Sequence, residues 1–232
     1  MRGATLLGCV ALLAGCGIDV GGGNAPVGGG PSQPADQPGS GSVATDADAV
    51  RSVVMIGDSI TKGSREALEA DLGGSGFDDV LIEAENGKRM AVSMPDNPSG
   101  AEIAAFIAGE DEGASEHADE IWVVALGTND VGNYSRPEEI AGAVNEVLAA
   151  VPEESPLVWV DVYLPRRPEL AAQFNAIMSE RLARRGNGVV APWSAFAGVD
   201  GVLSADDVHP TADGTVVFAS VVAETVRSFL GR

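Results

Sequence analysis

Five short apolar runs, each parted from the next by a longer amphipathic stretch, restrict this chain to a small set of folds. They cover residues 53–56, 80–82, 121–126, 157–162 and 189–191. None keeps the clean in–out alternation of a strand with one wet face. Between them lie helical stripes: Ile140, Val144, Val147, Leu148 and Val151; then Leu170, Phe174, Ile177, Met178 and Leu182; then Val217, Val221, Val222 and Phe229. Pro137-Glu138-Glu139 and Pro168-Glu169 mark helix starts, and the cations of "RLARR" suit a helix C-terminus. Apolar strands alternating with amphipathic helices predict a mostly parallel sheet covered on both faces. Residues that do chemistry in such a sheet gather outside the carboxyl ends of its strands.

Small polar blocks stand at those positions. Gly57-Asp58-Ser59 follows the first run directly, and Gly127-Thr128-Asn129-Asp130 follows the third. "DDVHP" (206–210) precedes the final helical stripe. A serine hydroxyl becomes a useful nucleophile when a base takes its proton, and an imidazole is suited to that. The chain has two histidines, His117 and His209. His117 sits in the polar stretch "ASEHADE" and reads as a solvated surface residue, whereas His209 lies in a loop with acids two and three residues upstream.

Taken jointly and in this order, "GDSI", "GTND" and "DxxHP" resemble the SGNH/GDSL hydrolase family. The resemblance spans nearly all of residues 51–232. It implies a flavodoxin-like three-layer α/β/α fold with a five-stranded sheet, and the activity of an esterase, lipase or acyltransferase. It also implies Ser59 as nucleophile and His209 as base. Family spacing favours Asp206 over its neighbour Asp207 as the acid that orients the imidazole. The oxyanion hole it implies takes the Ser59 backbone N–H, a glycine N–H and the Asn129 side-chain amide. Gly87 in "AENGKRM" fits the glycine, with a plain Asn-Gly turn as the alternative. Asp58 reads as a turn-fixing acceptor rather than a second triad acid, and Thr128 and Asp130 as supports for the loop presenting Asn129. Trp122 and Trp159 read as core; Trp193 reads as core too, with a place lining the site as its alternative. Neither a clustered His/Cys metal set nor a phosphate-binding glycine loop is visible, so no metal and no cofactor is expected.

The remainder of the chain bounds where this domain works. "MRGATLLGCVALLAGC" opens with Arg2 and an apolar run too short to cross a bilayer as a mature helix. Leu13-Ala14-Gly15-Cys16 resembles the lipobox of bacterial lipoproteins, which implies a signal peptide over residues 1–15 and a lipid on Cys16. Cys9 would leave with the signal, so no disulfide is expected in the mature chain. Residues 16–50 carry glycine triplets and prolines without helical or strand period and read as a disordered linker, spanning about 30 Å as a coil. With 14 basic against 34 acidic residues and a formal charge of −20, the chain lacks the basic footprint of a nucleic-acid binder.

The expectation is an exported, membrane-anchored serine ester hydrolase acting on small-molecule, lipid or glycan acyl esters. The alternatives are an O-acyltransferase acting on cell-envelope glycans and a lipoprotein that binds a ligand without turnover. Stable anchoring needs two or more acyl chains or a second attraction. Cys16→Ala is therefore expected to shift the protein from the membrane fraction to the released or unprocessed pool, read by fractionation and blotting. Unchanged membrane association with normal signal cleavage would count against the lipid anchor.

Overall fold

The computed structural model describes residues 50–110 and 119–232. The signal segment, Cys16, the linker through residue 49 and His117 lie outside the described residues. The described chain runs β1 (Ser52–Gly57), α1 (Ser59–Gly63), α2 (Arg65–Gly74), β2 (Asp79–Ala84), α3 (Gly100–Glu110), β3 (Glu120–Ala125) and α4 (Pro137–Ala150). It continues through β4 (Leu157–Val160), α5 (Pro168–Arg185), β5 (Gly188–Ala191), α6 (Ser194–Ala197) and α7 (Ala212–Phe229).

The five strands form one sheet in the order β2-β1-β3-β4-β5, and every pairing is parallel. The central strands are buried on both faces, which explains their unbroken apolar runs. Val53 and Met55 of β1 and Val123 of β3 face Leu68 and Leu72 of α2 and Phe218, Val222 and Val226 of α7. Val54, Ile56, Trp122, Val124 and Trp159 face the other way, onto Val144 and Val147 of α4 and Phe174, Met178 and Leu182 of α5. Helices therefore cover both faces in three layers. The edge strand β2 differs: Ile82 and Ala84 are buried while Leu81 and Glu83 are exposed.

Some details depart from the sequence pattern for local reasons. The apolar run 157–162 pairs as a strand only to Val160. Beyond it, the Asn175 side chain accepts from the Val162 N–H and donates to the Val162 carbonyl, both at 2.8 Å, and takes the place of a strand neighbour. Leu170, on the expected stripe of α5, is exposed, and Ala171 takes the buried position. Arg185 serves the end of α4 rather than of its own helix. Its guanidinium donates to the carbonyls of Leu148 (3.2 Å), Val151 (3.4 Å) and Ser155 (3.2 Å), and also to that of Pro152. All three tryptophans are core. Trp193 is 2% exposed and meets Phe218 edge to face at 5.2 Å.

The first turn of α7 lies against the backbone of Val202, where a Cβ on Gly214 would fall 1.9 Å from the Val202 carbonyl oxygen. A Cβ on Gly142, inside α4, would meet nothing within 4 Å. Gly214→Ala is expected to destabilise by about 1–3 kcal/mol through overpacking. Gly142→Ala is expected to stabilise by about 0.5–1 kcal/mol through helix propensity. Urea denaturation of the two variants checks both signs.

Candidate active site

Strand order reverses between β1 and β3, so the loops leaving their carboxyl ends part and form a crevice. Gly57 ends β1 opposite Ala125 of β3. The chain folds back at once, because Thr61 of α1 packs where a residue-57 side chain would sit: its Oγ1 lies 2.0 Å from an ideal Cβ. Asp58 caps the new helix, its Oδ1 accepting from the Ile60 N–H at 2.9 Å. Ser59 thus becomes the first residue of α1, at the rim of the sheet.

His209 arrives from the other end of the chain. An isolated antiparallel bridge pairs Leu203 with Pro210, and the Ser204 N–H donates to the His209 carbonyl at 2.8 Å. Thr211 caps α7 by accepting from the Gly214 N–H at 3.0 Å. In this loop the His209 ring bridges two partners: Nε2 lies 2.9 Å from Ser59 Oγ and Nδ1 lies 2.8 Å from Asp206 Oδ2. The other Asp206 oxygen accepts from the Ser204 hydroxyl and from the Val208 and His209 N–H groups, each at 2.9 Å. These donors, led by the His209 ring, hold the Asp206 carboxyl far below the usual carboxylate range. The side chains of His209 and Asp206 are 47% and 51% exposed, so the pair is open to water.

Asp207 turns the opposite way. It alone among the described non-glycine residues has a positive φ, 63°, and its carboxylate meets the Arg166 guanidinium at 2.9 Å from both Nε and Nη2. Of the two adjacent acids, Asp206 is the one on the imidazole.

The third block faces Ser59 from β3. Asn129 Nδ2 donates to Asp58 Oδ2 at 3.2 Å and to the Lys88 carbonyl at 3.1 Å. Asp130, buried beneath it, accepts from the Met90 N–H at 3.1 Å and the Tyr134 hydroxyl at 3.1 Å, with Arg89 Nε at 3.4 Å. Both residues therefore tie the loop after β2 to the loop after β3. Thr128 instead lines a small cavity beside Asp58. Burial raises the Asp130 carboxyl above its ordinary range, against the opposing effects of Met90 and Arg89.

Gly87 sits in the turn after β2, closed by the Lys88 N–H donating to the Glu85 carbonyl at 3.2 Å, with φ of 71°. It is a turn glycine and also lines the same groove as Ser59, Asn129 and His209. Among the described residues, no intramolecular acceptor takes the N–H of Ser59 or of Gly87. A buried lysine holds this turn from behind: Lys88 Nζ donates to Asn97 Oδ1 at 3.0 Å and to the Pro98 carbonyl at 2.8 Å. Lys88 and Arg166 were not singled out in the sequence. The signal for Lys88 was its position beside Gly87 as one of two lysines; nothing in the local sequence links Arg166 to Asp207. No group of three or more His, Cys, Asp or Glu among the described residues is arranged to hold a metal ion. No described helix is long and apolar enough to cross a membrane.

Chemically, the arrangement places a hydroxyl, a base and an oriented acid in line, with an amide and two free N–H groups around the same groove. Fold and site together set a serine, a histidine and an aspartate in hydrogen-bonded line at the switch point of an all-parallel sheet. The chain belongs to the GDSL-like lipase/acylhydrolase family, whose model matches residues 55–216. Solved structures share the fold at low identity. One is the C-terminal catalytic domain of Streptococcus pneumoniae peptidoglycan O-acetyltransferase A with a methylsulfonyl adduct. It has 17% identity and a TM-score of 0.57, covering 78% of this chain and 96% of that one. An inhibitor-bound aryl esterase of M. smegmatis has 16% identity and a TM-score of 0.58, covering 78% and 100%. A family 3 carbohydrate esterase of Clostridium thermocellum has 16% identity and a TM-score of 0.55, covering 78% and 100%. A search of curated proteins found no match.

Asp58 generates a pH prediction. Burial pushes its carboxyl from 3.8 up to about 7, against the lowering effects of the Ile60 N–H and of charge on His209. The folded state thus binds this proton more tightly than the unfolded chain does. The resulting stability is full below about pH 4 and is lost as pH rises toward 7. Relative to wild type, Asp58→Asn should gain roughly 2 kcal/mol between pH 5 and pH 8. Urea denaturation of both proteins at the two pH values measures the difference, and no gain would remove the buried proton from this carboxyl.

Proposed function

We propose that this chain is a serine ester hydrolase that works through an acyl-enzyme on Ser59. The observation that carries this reading is the unbroken line Ser59 Oγ–His209 Nε2–Asp206, at 2.9 and 2.8 Å, on the groove that also holds Asn129 and Gly87. His209 Nε2 takes the Ser59 proton as Oγ attacks the ester carbonyl, and Asp206 stabilises the imidazolium on its Nδ1 side. The carbonyl oxygen gains a full negative charge. The Ser59 and Gly87 N–H groups and the Asn129 amide are the donors for it. Both Asn129 N–H bonds already have acceptors, at 3.1 and 3.2 Å, but a charged oxygen competes well against the neutral Lys88 carbonyl. Collapse expels the alcohol with the proton from His209. Water then loses a proton to the same nitrogen, attacks the acyl carbonyl and releases the acid and Ser59.

Transfer to a second alcohol is the other reading, supported by the likeness to an O-acetyltransferase catalytic domain. Both share the acyl-enzyme and differ in the nucleophile that reaches it. Half-exposed His209 and Asp206 leave the intermediate open to water, which favours hydrolysis. With an acyl ester and a glycan acceptor together, free acid is expected to dominate. Acylated sugar dominating at modest acceptor concentration would make the enzyme a transferase. The lipobox-like LAGC supports an exported protein held at a membrane surface by lipid on Cys16.

Ser59→Ala and His209→Ala should each lower kcat/KM by on the order of 10⁴–10⁶, and the double variant should lose little more, since the residues act as a unit. Asp206→Ala should cost on the order of 10³–10⁴. Asp207→Asn, which suits a positive φ and removes only the charge facing Arg166, should stay within about tenfold of wild type. Additive losses, or an Asp207 effect larger than that of Asp206, would overturn the assignment.

A further inference from the structure

Gly87 stands at the groove on a turn that packing does not hold. Asn86 and Gly87 are exposed, and a Cβ on Gly87 would meet nothing within 4 Å. Glycine takes its φ of 71° without strain and leaves it as easily. On the solvent side, the Glu85 carboxylate accepts from the Asn86 N–H at 2.9 Å and from Lys62 Nζ at 2.6 Å. Exposed charge contacts of this kind hold little. A donor for an oxyanion needs firmer support, because its value lies in being aimed before the charge develops.

That support comes from one side-chain amide. Asn97 Nδ2 donates to the Asn86 carbonyl at 2.9 Å, and Asn97 Oδ1 accepts from Lys88 Nζ at 3.0 Å. The residues on both sides of Gly87 are thus gripped by the same group. Asn97 is itself set by a bridge to Met94, with backbone N–H to carbonyl bonds at 2.9 and 3.1 Å. Lys88 adds a second bond, to the Pro98 carbonyl at 2.8 Å, while its own carbonyl accepts from Asn129 Nδ2 at 3.1 Å. Lys88 is 4% exposed, and both partners of its ammonium are neutral oxygens. Burial lowers its pKa, against the raising effects of Glu83, Glu85 and Glu102. An ammonium buried on neutral acceptors is costly, and what it supplies in return is direction.

Building on the ester-hydrolase reading, we infer that Asn97 and Lys88 are positioning residues for the oxyanion hole. Together they fix the Gly87 N–H and, through the Lys88 carbonyl, the Asn129 amide. Neither side chain lines the groove. Their effect falls where the ester carbonyl oxygen becomes an alkoxide, so they act on the transition state rather than on substrate binding. A misplacement of about 1 Å at such a site is enough to cost about 10²-fold.

The test compares full-length wild type with Asn97→Ala, Lys88→Met and the double variant, using 4-nitrophenyl acetate; Ser59→Ala sets the background. The Ki of a trifluoromethyl ketone is measured in parallel. Ser59 Oγ adds to the ketone carbon, the carbonyl electron pair moves to oxygen as an alkoxide, and the hydroxyl proton passes to His209. Each single variant is expected to lose about 10- to 100-fold in kcat with KM within about threefold, and Ki should rise by the same factor. The double variant should lose no more than about threefold beyond the worse single, because both changes cut one clamp. If urea denaturation shows Lys88→Met unfolded, Asn97→Ala, at a partly exposed position, decides alone. A fall in kcat with Ki unchanged reports a smaller folded fraction rather than a displaced donor, and overturns the inference. So does an Asn97→Ala enzyme within about threefold of wild-type kcat. Either result leaves the ester-hydrolase reading standing. Wild-type turnover no faster than that of Ser59→Ala overturns both together.

Discussion

The buried carboxylate of Asp58 holds together three parts of the chain that are far apart in sequence. One oxygen caps α1 and fixes Ser59 at the end of β1; the other accepts from Asn129, at the end of β3. Through its second N–H, Asn129 reaches the Lys88 carbonyl after β2. The loops of the three strands β2, β1 and β3, neighbours in that order, are thereby tied edge to edge. This arrangement needs the parallel register that sets Gly57 level with both Ala84 and Ala125. It also carries a cost. A carboxyl taken from water resists ionising, and burial outweighs the Ile60 N–H and the nearby charge on His209, which favour its charged form.

His209 reaches this frame by a different route, and its loop is anchored on both sides. Gly214 lets α7 start against the Val202 backbone, and the Leu203–Pro210 bridge closes the loop above it. Within the loop, two adjacent acids are made to diverge by the left-handed backbone at Asp207, a conformation that Asp tolerates better than most residues. Arg166 captures the outward acid, leaving Asp206 to the imidazole. The ion pair is exposed, so little stability follows from it. Its effect is on direction.

The sequence made the sheet legible because strands buried on both faces must be apolar at successive positions, and the five runs all became strands. Ends were less legible. The run through Val162 outlasts β4 because a side-chain amide, Asn175, competes with the sheet for the Val162 backbone groups, and no apolar pattern encodes that. Leu170 sat at helical spacing, yet the buried face of α5 is rotated toward Ala171, so period alone misplaced it. Strand-end blocks pointed to Ser59, Asn129 and His209, and the fold brings these three to one groove. Family spacing favoured Asp206 over Asp207, and the positive φ at Asp207 is what turns the two acids apart. Likewise Gly87 was weighed as turn or oxyanion glycine, and the geometry makes it a turn glycine that lines the groove.

The exposure of the His209–Asp206 pair raises the question of what keeps it aligned. In a deeply buried site, low dielectric strengthens each interaction; a half-exposed one has no such help. Here alignment comes from saturation. One Asp206 oxygen is occupied by the Ser204 hydroxyl and two backbone N–H groups, so the carboxylate cannot rotate without giving up three donors. Its remaining oxygen faces His209 Nδ1, which fixes the ring with Nε2 toward Ser59. Two of those donors are backbone groups of Val208 and His209 themselves, so the acid orients the loop as well as the ring. Ordering is thus built into the loop itself, and alignment of this kind is what an open site needs if it is to act without enclosing its reactants.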